Sequence, residues 1–186
     1  MRDGRCLDTT MGFTPLEGLV MATRSGSVDP GLLLWLLEET KMAERELAEA
    51  LEHQSGLLAL AGTADMREIL AGVEHGDPDA SLALDVYVHR LRAGIAAMTA
   101  ALGGLDTLVF TGGVGERSAP VRAAAAAGLG FLGIALDPER NASARGDADI
   151  SAPAAAVRTL VVEAREDLEI ARQVRTVLAA GRGAPR

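Results

Sequence analysis

Apolar and polar positions along this chain follow two periods. From Ala80 to Leu102 apolar residues recur every three or four positions, with Leu82, Val86, Leu91 and Ile95 on roughly one face. That spacing predicts a long amphipathic helix, which Gly103-Gly104 ends. Upstream, Asp29-Pro30 sets a carboxylate N-cap before proline at the first helical position. The helix it starts is apolar nearly all round from Leu32 to Leu37, including Trp35, so it is either enclosed by its own protein or covered by a partner. Glu38 to Glu52 resumes an amphipathic pattern that Gly56 closes. A further helix is expected over Ala64 to Val73, and shorter ones over Pro15 to Ala22 and Pro120 to Ala127.

Short apolar or β-branched runs predict strands at Thr107 to Phe110, Phe131 to Leu136 and Arg158 to Glu163. Arg2 to Thr10 reads as a short strand or strand end that stops at Gly12. Asn141 to Pro153 is polar and small, a surface loop. Glu166 to Ala180 is a final helix, and Gly181 to Arg186 a frayed tail. Helix followed by strand, repeated, with glycines at the carboxyl ends of strands, defines an α/β layered fold. No internal repeat or inter-domain linker divides it, so residues 1–186 read as one domain.

Composition narrows the partners. The formal charge of −8 opposes a polyanion, and aromatics at 3% supply no stacking platform, which argues against nucleic acid. A small anion remains compatible, because local backbone N–H groups bind it whatever the net charge. The single Cys6 excludes an intrachain disulfide and a cysteine zinc cluster, and reads as an inert or partly buried thiol. No run approaches the roughly 18 apolar residues of a membrane span. Met1-Arg2-Asp3-Gly4-Arg5 has no apolar stretch behind its charges, so no signal peptide is expected and the expected location is cytoplasmic. His53, His75 and His89 have no metal-ligand spacing.

Four places carry candidate chemistry. Gly112-Gly113-Val114-Gly115 follows a buried-type strand and precedes a helix, which suits close approach to a ligand or simply a tight turn; it is neither a Rossmann fingerprint nor a P-loop. Arg24, in Met21-Ala22-Thr23-Arg24-Ser25-Gly26, suits clamping a phosphate or carboxylate through paired donors, or a surface ion pair. Asp65 opens a helix as its cap, which accounts for Asp65 and leaves Arg67 open. Glu166-Asp167 begins the last helix directly after a strand, where a carboxylate suits either the helix dipole or hydrated Mg²⁺ beside phosphates.

Taken in order, these segments resemble the acetate kinase family. Asp8-Thr9-Thr10-Met11-Gly12-Phe13-Thr14-Pro15-Leu16-Glu17-Gly18-Leu19, running into Met21-Ala22-Thr23-Arg24-Ser25-Gly26, is close to that family's signature. The likeness continues through Ser55-Gly56-Leu57-Leu58, Asp65-Met66-Arg67-Glu68, Leu84-Asp85-Val86-Tyr87-Val88 and Phe110-Thr111-Gly112-Gly113-Val114-Gly115-Glu116. It ends in Phe131-Leu132-Gly133-Ile134 and Glu166-Asp167-Leu168-Glu169-Ile170-Ala171. It covers nearly the whole chain and about the second half of a typical member.

The resemblance implies an actin-like ATPase (ribonuclease H-like) domain, incomplete at its N-terminal end, in which ATP and acetate or another short carboxylate give ADP and acyl phosphate with Mg²⁺ required. Arg24 would then bind the transferred phosphoryl group and the acyl carboxylate, and Pro15 would line the acyl pocket. Asp65, Met66 and Arg67 would contact the adenosine, Gly113, Val114 and Gly115 would form the adenosine-side loop, and Glu166 would position Mg²⁺ through water. Arg117 stands where the family usually has asparagine, so its guanidinium would stack on a base or reach for phosphate where an amide would read the base edge. The family's phosphate-binding Leu-Gly-Asn-Gly segment and its other catalytic groups would lie upstream of Met1. The expectation is therefore a chain inactive without an N-terminal half, with an unpaired sheet edge, associating with that half or as a homodimer. The alternative is a non-catalytic module for adenine-nucleotide binding or dimerisation.

Overall fold

A computed structural model describes residues 1–181. Helix α5 (Pro78–Leu102) is its axis. Asp77 caps it by accepting from the Asp79 and Ala80 amides, with Pro78 in the first turn. At the other end Gly103 turns left-handed (φ 71°), and the Gly103 and Gly104 amides return to the carbonyls of Ala100 and Thr99, a Schellman closure. The buried stripe is Ala80, Ala83, Tyr87, Val88 and Thr99, with Leu91 and Ile95 packed beside it. Leu82, expected on that face, is exposed. Small residues win the inner face because the neighbouring helix crosses closely: a Cβ on Gly72 would lie 2.8 Å from that of Ala80.

One side of α5 carries a helical layer. Helices α1 (Pro30–Glu38), α2 (Glu44–His53), α3 (Gly56–Ala61) and α4 (Met66–Glu74) precede it, and α3 and α4 pack on it. Their shared core contains Val20, Leu57, Met66, Ile69, Ala80, Ala83, Tyr87, Val88 and Val121. The other part of the molecule holds the sheet, of order β1-β3-β2. Strand β1 (Thr107–Phe110) runs parallel to β3 (Arg158–Val161) with Phe110 opposite Val161, and β2 (Ala148–Asp149) is antiparallel to β3. Helices α6 (Gly112–Arg117), α7 (Ala119–Ala127) and α8 (Pro138–Ser143) lie between β1 and β2 in sequence. Leu108, Phe110, Ala125, Leu129, Ile150, Val157 and Val161 fill this second core. Among the described residues β1 and β2 are the outer strands of this sheet.

Several expected elements differ. Arg2 to Thr10 is not a strand; it has one bridge, Arg2 to Arg5, and every residue is exposed, Cys6 included. Pro15 to Ala22 is not helical, because its backbone groups are spent elsewhere: the Gly18 carbonyl takes the Ser27 amide, and the Met21 carbonyl takes that of Leu57. The pattern from Glu38 to Glu52 is broken near Lys41 (φ 58°), so α2 starts only at Glu44. Gly56, read as a terminator, opens α3 instead.

Gly112 to Gly115 is the first turn of α6, not an open loop. Phe131 to Leu136 holds a 3-10 turn at Gly130–Leu132 and two single bridges, Ile134 to Val157 and Leu136 to Ser151; Phe131 points out and Gly133 turns left-handed. The loop expected over Asn141 to Pro153 contains the end of α8, capped by Asp137, and strand β2. The final helix is α9 (Glu166–Gly181), whose side chains are exposed through Ala179. Beyond Gly181 the expected frayed tail lies outside the described residues. Among the described residues no helix is long and apolar enough to cross a membrane.

Candidate nucleotide cleft

An open cleft of about 660 Å³ lies between the start of α4 and the α6–α7 corner. Asp65, Met66, Arg67 and Leu70 form one wall; Gly113, Val114, Arg117, Ser118 and Pro120 form the other. The walls share a floor, since Met66 is buried in the helical core and Leu70 and Val114 pack against it. A Cβ on Gly113 would meet no atom within 4 Å, so this glycine keeps open space beside the backbone. Gly115 is behind the wall, its α-carbon hydrogen facing the Phe110 backbone at 3.4 Å for a notional Cβ. It is there for strand-to-helix packing.

The α4 wall is fixed by Asp65. Its carboxylate accepts the Arg67 amide at 2.9 Å and pairs with the Arg67 guanidinium through Nε and Nη2. The guanidinium first and the amide second hold the Asp65 carboxyl down at about 2, well below its ordinary 3.8. Arg117 is exposed and forms no ion pair among the described residues. Arg67 is paired with Asp65, and Arg117 is near enough to the Glu116 carboxylate for its charge to help lower that group's pKa.

The second wall is held from behind by a buried polar clamp. Arg122 is 1% exposed. Its Nη1 donates to the carbonyls of Gly115 (2.9 Å) and Glu116 (2.8 Å), and Nε and Nη2 donate to the side-chain and main-chain oxygens of Asn141, each at 2.8 Å. Asn141 in turn donates to the Ala119 carbonyl. The Gly115 and Glu116 carbonyls of α6, which have no partner inside so short a helix, are thereby satisfied. Burial, then the nearby charge of Arg145, lowers the Arg122 pKa from its usual range. At the head of α6, Glu116 Oε1 accepts the Gly112 amide at 2.7 Å and the Ala164 amide at 2.8 Å. The Ala164 amide most of all holds that carboxyl below its usual range.

Arg24, half-buried, lies outside this cleft, on a segment pinned to α3. The amides of Ser55, Leu57 and Leu58 donate to the carbonyls of Thr23, Met21 and Ala22, and that of Ser25 donates to Leu51. Gly56 (φ 65°) permits the contact, since a Cβ there would lie 2.2 Å from the Met21 oxygen. The Arg24 side chain has no hydrogen bond or ion pair among the described residues, whereas its backbone is fixed. Pro15 is exposed in the irregular stretch before Gly18, and Glu166 is exposed at the head of α9 beside Asp167. Neither lines the cleft.

Six of the ten candidate residues thus converge on one cleft: Asp65, Met66, Arg67, Gly113, Val114 and Arg117. Ala64, Leu70, Ser118 and Pro120 complete the walls and were not singled out as site residues in the sequence; the four-residue spacing of Leu70 from Met66 and of Ser118 from Val114 was the available signal. Arg122 and Asn141 left none, because an arginine in an alanine-rich helix reads as solvated.

A parallel strand pair with helices crossing between its strands, and a cleft beside the helix that follows β1, define an α/β domain. The comparisons make this specific. Residues 1–172 match the model of the Acetokinase family, and the chain belongs to that family. It is 52% identical over 174 residues to an acetate kinase of Gloeobacter violaceus, covering 93% of this chain and 43% of that relative. It is 54% identical over 179 residues to an acetate kinase of Leifsonia xyli, covering 96% and 45%. The crystal structure of Porphyromonas gingivalis acetate kinase superposes with a TM-score of 0.84 at 39% identity over 91% of this chain and 43% of that one. A propionate kinase from Francisella tularensis gives 0.81 at 36% identity over 87% and 41%. The fold is that of the actin-like ATPases, and the chain spans less than half the length of these relatives.

Proposed function

We propose that the cleft takes the adenosine part of ATP or ADP, and that the chain forms the adenine-nucleotide side of a carboxylate phosphotransferase acting on acetate or another short carboxylate. The observation that carries this is the convergence of Asp65, Met66 and Arg67 with Gly113, Val114 and Arg117 from distant parts of the sequence. In that reaction a carboxylate oxygen attacks the γ-phosphorus, the bond to the β-γ bridging oxygen breaks, and ADP leaves with the released charge. Arg24 orients the phosphoryl oxygens and the carboxylate through its paired N–H donors, work that phosphoryl transfer asks of a protein more than covalent chemistry. Pro15 lies close before Arg24 in sequence and forms part of the acyl pocket.

The fit to Mg²⁺ is limited. Among the described residues no three His, Cys, Asp or Glu side chains converge on a metal position. Glu166, an exposed carboxylate beside Asp167 at the head of α9, fits a hydrated ion whose other ligands are water and phosphate oxygens. Such an ion supplies charge neutralisation on the phosphate oxygens. Turnover draws further groups from a portion matching the remaining length of the relatives, either in the same polypeptide or as a separate half. The exposed Leu32, Leu34 and Trp35 of α1 form the surface through which two copies associate.

The test is acyl-phosphate trapping with hydroxylamine, using this chain alone and mixed with the N-terminal portion of a relative. Product is expected from the mixture and lost with Arg24→Ala. An inactive mixture, together with an Arg24→Ala change that has no effect in a full-length relative, overturns the enzymatic reading. A second reading, a binding module without catalysis, is favoured by the separation of Arg24 and Glu166 from the cleft. It requires adenosine to bind almost as well as ATP in calorimetry, and a strong preference for ATP excludes it.

A further inference from the structure

Glu116 joins two parts of the molecule that are far apart in sequence. Phe110 and Val161 are partners at the carboxyl ends of β1 and β3, and the Val162 amide donates to the Phe110 carbonyl. Beyond that point the two chains part. One enters α6 through Gly112, in the left-handed conformation (φ 74°), and the other runs through Ala164 to α9. A single carboxylate oxygen spans the gap, accepting both the Gly112 and the Ala164 amide at 2.7 and 2.8 Å. Hydrogen bonds to an ionised acceptor are the stronger kind, and no other side chain among the described residues bonds to either amide.

The two tied segments face different work. Gly113, Val114 and Arg117, which flank Glu116 in sequence, line the cleft. Ala164 stands two residues before Glu166. We propose that Glu116 is a positioning residue: it fixes the first turn of α6 and the approach to α9 as one unit, so that filling the cleft is transmitted to the acidic head of α9. The transmission rests on the cleft being the nucleotide site; the tie itself does not. Gly112 has its amide engaged by Glu116, so that amide is not a free donor for phosphate.

The experiment is residue-resolved amide exchange on the full chain, comparing the parent with Glu116→Gln and Glu116→Ala. In Glu116→Ala the amides of 112–115 and 162–166 are expected to exchange about tenfold faster or more, together, as expected for loss of a charge-assisted hydrogen bond. The amides of β1 and α7 should stay unchanged, and glutamine, which keeps an acceptor oxygen, should restore most of the protection. If only one segment loosens, if β1 and α7 loosen equally, or if glutamine behaves as alanine, the tie is wrong. ADP added to the parent should slow exchange at both 112–115 and 162–166, and in Glu116→Ala only at 112–115. Protection confined to 112–115 in the parent overturns the transmission. No protection anywhere sinks the nucleotide reading, while the exchange pattern without ligand still decides the tie.

Discussion

The guanidinium of Arg122 donates to both oxygens that Asn141 offers, the side-chain amide and the main-chain carbonyl, each at 2.8 Å. With the carbonyls of Gly115 and Glu116 it reaches four acceptors and no carboxylate. Arg122→Met would leave those carbonyls dry and unpaired. The expected loss is about 2–4 kcal/mol in urea unfolding, whereas Arg175→Ala, on exposed α9, should stay within about 0.5 kcal/mol. Equal effects from the two would contradict the clamp.

Gly113 faces open space, so a side chain there should obstruct the cleft without disturbing the fold. Gly113→Ile is expected to abolish ADP binding in calorimetry and leave the melting temperature near that of the parent. Undiminished binding would place the nucleotide elsewhere.

Glycines 56 and 112 share a left-handed backbone but not surroundings. A Cβ at Gly56 would collide with the Met21 oxygen at 2.2 Å, while at Gly112 nothing lies within 4 Å. Gly112→Ala should therefore cost only backbone strain, about 1–2 kcal/mol. Gly56→Ala should cost more than that, and it alone should shift the backbone resonances of residues 21–25.

The Asp65 carboxyl, held at about 2 against an ordinary 3.8, is depressed by folding, so it stabilises the folded state above pH about 4. That contribution should fall away as pH drops from about 4 toward 2. The Arg67 amide resonance should titrate with a midpoint near 2, and Asp65→Asn should remove the titration while keeping the cap. A midpoint near 3.8 would mean that the pair with Arg67 does not form.

Those contrasts also show what the sequence could disclose. Asp29-Pro30 announced α1 because a capping carboxylate and a proline act locally, while α5 was announced by its apolar period, although Asp77-Pro78 caps it in the same way. Asp137-Pro138 gives the same signal for α8, but the polar, small residues after it read as a loop. Pro15 to Ala22 shows the opposite failure. Its local composition suits a helix, but its carbonyls are taken by residues such as Ser27 and Leu57, which no window around residue 18 contains. The cleft was legible through the family resemblance, which grouped Asp65, Met66 and Arg67 with the glycine turn, whereas the residues alone read Asp65 as a cap and left Arg67 open. Its supports were not, because Arg122 and Glu116 act through contacts that exist only after folding.

The carbonyls of residues 21, 22 and 23 are held by α3 and the residue before it, yet among the described residues the guanidinium at position 24 has no ion-pair partner. A long cationic arm on an immobile root surrenders only its own rotamer freedom on meeting an anion, about 2 kcal/mol, and no loop has to be ordered first. An anion meeting it would find a receptor whose backbone was already ordered when the chain folded.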